Sequence, residues 1–134
     1  MKRVILSMIL LVSLSATAQQ VSVGAGFGSA YKDGAMDMTF SGSMNVGVLH
    51  LSADLTGTYG VGAVFSIDGS GYCSDRGSSS FLIGSEYVFR PGYNETSPVN
   101  GASLIMGGQM DGGLMIMVKA GFPRMGLTFQ IPLN

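Results

Sequence analysis

The stretch "LHLSAD" sets His50, Ser52 and Asp54 at alternate positions. A histidine with a hydroxyl and an acid is the constellation of nucleophilic catalysis, provided that the three side chains converge on one point. On a strand these residues share a face but stand in line about 6.6 Å apart, twice the rise per residue. Such a row is poorly placed to relay a proton, and His50, the chain's only histidine, reads as structural rather than catalytic. No enzymatic activity is expected.

A second candidate is "VSVGAGFGSAY", Val21 to Tyr31, which follows an apolar run as a phosphate-binding loop would. The dinucleotide fingerprint requires a third glycine at position 29, then a helix and a downstream acid. That position holds Ser29, and the alternation continues to Tyr31 before "KDG" turns the chain. The glycines therefore belong to a strand, where they are expected to form a bare inner wall with room for residues from across a barrel. Metal chemistry is equally poorly provided for: one histidine and one cysteine make no ligand cluster. "DGSGYCSD", with Asp68 and Asp75, lacks the full calcium-loop pattern, so no cofactor is expected. Cys73 has no second cysteine to pair with inside the chain and reads as a free thiol in a loop.

The opening "MKRVILSMILLVSLSATAQQ" places Lys2 and Arg3 before an apolar run from Val4 to Val12, with small residues at Ala16 to Ala18. This is the layout of a secretory signal peptide, and the run is too short to span a bilayer as a helix. Residues 1–18 are expected to be removed between Ala18 and Gln19, leaving 19–134 as one exported domain. Without Lys2 and Arg3 the chain keeps five Lys and Arg against eight Asp and Glu, a formal charge of −3. That balance offers no clustered basic surface, so no nucleic-acid partner is expected. Charged residues are 11% of the chain, less than half of the roughly 25% usual for soluble domains. A surface so poor in charge must face lipid or be covered by partners.

Period-two alternation pervades the remainder, with no convincing amphipathic helix. From Val21 to Tyr31 the odd positions are mostly apolar, and from Met36 to Val48 the even ones are. The phase flips at Val48-Leu49, so that from Leu49 to Ile67 the apolar set is odd again; such a change marks a bulge or a turn. Phe81 to Arg90, Ala102 to Gln109, Leu114 to Phe122 and Met125 to Leu133 alternate as well, with Ile105 out of pattern. Turn signals separate the runs: "KDG" at Lys32, "ADLTG" at Ala53, "DGSG" at Asp68, "RPGYNETSPVNG" at Arg90, "DGG" at Asp111 and "FPR" at Phe122. About eight strands result, provided that the run from Met36 to Val48 divides at "SGS".

A soluble sandwich turns charged side chains outward, whereas a small membrane barrel turns small and polar residues inward with a few paired charges. Here the face opposite the apolar one holds Ser, Gly, Thr, Asn and Gln, with Asp37, Glu86, Arg90 and Lys119 as its charges. The expected fold is an all-β, antiparallel up-and-down β-barrel, with these four as candidate interior charges. Glu86, Arg90 and Lys119 are expected to form an ion-pair network, since a buried charge without a partner is costly. Side chains should fill the interior, leaving no wide pore.

The signal peptide, the first strand "VSVGAGFGSAY" and the closing hairpin "LMIMVKAGFPRMGLTFQIPL" together resemble the small outer-membrane β-barrel proteins of the OmpA and OmpX type. The resemblance implies outer-membrane lipid as the surroundings and a structural, anchoring or surface-interaction role, with a surface or periplasmic protein as partner. The alternative is a soluble periplasmic or secreted β-sandwich that binds a partner.

Overall fold

The computed structural model describes Ile5 and residues 21–32, 34–67, 80–92, 98–110 and 112–133. The signal-peptide cleavage site, Cys73, Asp68 and Asp75 lie outside the described residues. Alternation becomes eight antiparallel strands: β1 Val21–Lys32, β2 Ala35–Val46, β3 Leu49–Asp54, β4 Tyr59–Ser66, β5 Ser80–Arg90, β6 Val99–Gln109, β7 Met115–Phe122 and β8 Arg124–Pro132. Each pairs with its chain neighbours, and β1 pairs with β8 from Ser22↔Pro132 to Ala30↔Arg124, closing an up-and-down barrel. This corrects the sandwich alternative. One sheet closes on itself, which satisfies both of its edges with hydrogen bonds.

Two boundaries differ from the sequence reading. β2 crosses Ser41-Gly42-Ser43 without a break, so the chain does not divide at "SGS". The division falls at "ADLTG", where the Asp54 carboxylate accepts hydrogen bonds from the Thr56 and Thr58 amides at 2.9 and 3.1 Å and ends β3. The phase flip is a two-residue turn, Gly47-Val48, closed by the pair Val46↔Leu49. Paired residues of antiparallel strands share a face, so even-numbered Val46 and odd-numbered Leu49 both point outward and the parity must change. Gly47 takes a φ of 58° there, a conformation that costs glycine little.

The outward positions carry large exposed apolar side chains, among them Phe27, Phe40, Phe65, Phe81, Val118 and Ile131. Inside, Val64, Leu82, Ile105, Met115 and Met117 form a buried apolar cluster towards the end of the barrel where β1 starts and β8 finishes. Ile105 breaks the sequence pattern because it faces this cluster. The inward glycines of β1 make room for something other than side chains from across the bore. A Cβ at Gly28 would stand 2.6 Å from the Gly126 Cα, and one at Gly26 would stand 2.9 Å from the Thr128 Cα, both on adjacent β8. Inward Cβ positions converge when so few strands close a circle, and bare glycines let β1 and β8 meet.

Gly28→Ala is therefore expected to lower stability by about 1–3 kcal/mol through overpacking. Gly42→Ala, whose Cβ would meet nothing nearer than the Gly24 carbonyl oxygen at 3.9 Å, is expected to be neutral or stabilising. Urea unfolding followed by circular dichroism compares the two, and equal midpoints would refute this account of the glycines.

Candidate functional site

Inward alternation on four strands delivers one set of polar side chains: His50, Ser52 and Asp54 from β3, Glu86 from β5, Lys119 from β7 and Arg124 from β8. His50 is 0% exposed, Glu86 1%, and Lys119 and Arg124 3% each, so none of them is hydrated by bulk solvent. Lys119 Nζ donates to Glu86 Oε2 at 3.1 Å and to His50 Nε2 at 2.8 Å. Ser52 Oγ donates to the same Glu86 oxygen at 2.8 Å. Arg124 Nε donates to Asp54 Oδ2 at 3.2 Å; its Nη1 donates to Ser52 Oγ and lies 3.8 Å from Glu86 Oε1, and its Nη2 donates to the Thr58 carbonyl. Two cations thus face two carboxylates, the condition for holding four charges out of water.

The histidine extends this cluster into a directed chain. Its Nδ1 meets Asn45 Oδ1, an acceptor, so Nδ1 carries the proton and Nε2 accepts from Lys119. Asn45 Nδ2 donates to Gln130 Oε1, which also accepts from Ser22 Oγ at 3.2 Å, and Gln130 Nε2 donates to Ser43 Oγ at 2.6 Å. Each amide is oriented by the next, and the direction of donation runs unbroken from Lys119 to Ser43. Gly60 on β4 provides the space, because a Cβ there would collide with Glu86 Oε2 and Ser52 Oγ.

Of the four charges read as interior, Glu86 and Lys119 meet in this cluster. Arg90 stands four residues beyond Glu86 on the same face of β5, half-buried at the rim, where Nη1 donates to the Tyr31 carbonyl at 3.2 Å. The guanidinium beside Glu86 belongs to Arg124. Asp37 is exposed, which corrects its assignment to the interior. It has the inward phase, but it lies on the part of β2 that runs past the last pair with β3, Ser41↔Asp54. Sequence reasoning leaves Arg124 in the "FPR" turn and Asp54 in "ADLTG". The signal for Arg124 is its even number, in phase with inward Thr128 and Gln130 on the same strand.

His50, Ser52 and Asp54 do share the inward face of β3, yet none of the three hydrogen-bonds another: His50 engages Asn45 and Lys119, Ser52 engages Glu86 and Arg124, and Asp54 engages Arg124 and its own turn. The row does not converge into a relay. Among the described residues no group of three His, Cys, Asp or Glu side chains is gathered for a metal ion.

Removing one member of the central pair leaves the other charge buried alone, so Glu86→Gln and Lys119→Met are each expected to cost about 3–5 kcal/mol. The double variant is expected to cost less than the sum of the two, with a coupling of about 0.5–3 kcal/mol. A double-mutant cycle of urea midpoints reads this directly, and strict additivity would show that the pair is not coupled.

Comparison with known protein families, with curated proteins and with solved structures finds nothing that matches this chain.

Proposed function

We propose that the chain is a small outer-membrane β-barrel with a structural, anchoring or surface-interaction role and no catalytic one. The distribution of polarity carries this reading: Asp54, Glu86, Lys119 and Arg124 are turned inward and large apolar side chains outward. On the outer wall Phe65 is 51% exposed, Phe81 75% and Ile131 57%. Singly scattered apolar residues need no explanation in a soluble domain, but an apolar band around a barrel wall calls for hydrocarbon beside it.

Aromatic rings support the same reading. Towards the end opposite the apolar interior cluster, Tyr31 packs edge-on against Phe122 with centroids 5.2 Å apart, and Tyr59, Phe89 and Tyr87 form a second row. Rings with one polar tip suit the boundary between hydrocarbon and headgroups. Anchoring is favoured over transport because the apolar cluster and the ion network fill the bore.

Expressed with its N-terminal segment, the protein is expected in the outer-membrane fraction, released by detergent but not by high salt. Unheated samples are expected to migrate differently from boiled ones in gels, as the closed sheet resists unfolding by detergent. A monomer that stays soluble without detergent would sink the proposal.

A further inference from the structure

One stretch of backbone in the wall has a strand partner on one side only among the described residues. β3 pairs with β2 only from Ser41↔Asp54 to Val46↔Leu49, and the last bond on that side runs from the Leu55 amide to the Phe40 carbonyl at 3.1 Å. β2 continues beyond it to Ala35, held on its other side by β1 as far as Lys32↔Ala35. In an antiparallel strand the N–H and C=O of one residue point to the same side and alternate along the chain. Phe40 points towards β3, so Met36 and Met38 do as well, and their amides and carbonyls find no partner among the described residues. The cause lies in the interior: Asp54, held by Arg124, caps the β3–β4 turn through the Thr56 and Thr58 amides, which stops β3 from lengthening to cover β2.

We propose that this edge, residues 35–40, receives an extended segment of a partner protein as an added strand. The main-chain groups of Met36 and Met38 select an extended backbone, and the side chains on the two faces select its sequence. Met36, Met38 and Phe40 line one face, all exposed, and Asp37 lies exposed on the other. The complementary strand alternates apolar residues with basic ones and sets a Lys or Arg across from Asp37. A second copy is the poorer occupant. Pairing this edge with itself requires two antiparallel β2 strands, whereas two barrels held in one membrane with the same orientation run β2 in the same direction. The open edge itself follows from strand pairing alone and holds wherever the barrel resides.

The probe is a fluorescein-labelled, N-acetylated Val-Lys-Val-Lys-Val-Lys peptide titrated against the full chain in detergent. Saturable binding is expected, accompanied by new hydrogen-exchange protection at the Met36 and Met38 amides. Met38→Pro removes an edge N–H without touching the β1 ladder and is expected to weaken binding about tenfold, as loss of a main-chain hydrogen bond allows. A peptide N-methylated at alternate amides makes the same test without altering the protein and is expected to lose binding. The proposal is overturned by absence of binding, or by binding that neither change weakens, which would place the peptide on the apolar wall. It is also overturned if both amides are protected before peptide is added, or become protected with rising protein concentration alone, since either would mean that the edge is already covered.

Discussion

An eight-stranded barrel has an interior just wide enough for side chains to fill, so the polar groups it turns inward depend on one another for partners. In this protein that requirement shapes everything between β3 and β8. The hydrogen-bonded ladders join only adjacent strands, but Lys119 and Glu86 are 33 residues apart, Arg124 and Asp54 are 70 apart, and neither pair sits on adjacent strands. The ion pairs therefore cross the bore and tie together parts of the wall that the sheet leaves unlinked. Among the described residues Glu86 Oε1 and Gln109 Nε2, an acceptor and a donor, are the buried side-chain atoms lacking a hydrogen bond.

The interior is divided along its length. An apolar plug of Val64, Leu82, Ile105, Met115 and Met117 occupies part of one end, and the charges lie beyond it. Dispersion packing suffices for the plug, while the charged part needs directed bonds. Gly60, by withholding a Cβ, lets Ser52 and Glu86 approach, so the backbone composition of a neutral strand is set by charges that belong to other strands.

Strands were legible because the wall separates two environments and each strand must sort its side chains at every second residue. Lys119 could be placed inside from its neighbours Met117 and Gly121, and the glycines of β1 from theirs. Alternation holds no record of which strands face each other across the bore. Arg90 and Arg124 both have the inward phase, and only the three-dimensional stagger of the strands puts one at the rim and the other beside Asp54 and Glu86. Ile105 shows that inward does not mean polar, and Asp37 shows that phase gives a side without giving a depth.

The seam between β1 and β8 has a consequence for the order of folding. Seven of the eight ladders join consecutive strands, whereas the seam joins residues as distant as Ser22 and Pro132, 110 positions apart, and such contacts form late because of their loop-closure entropy. Arg124 travels on that last strand, so Asp54 and Glu86 keep their full complement of partners only once the seam is shut. Sealing the cylinder and neutralising its contents are one event, which makes a nearly closed barrel a poor resting place on the way to the native state.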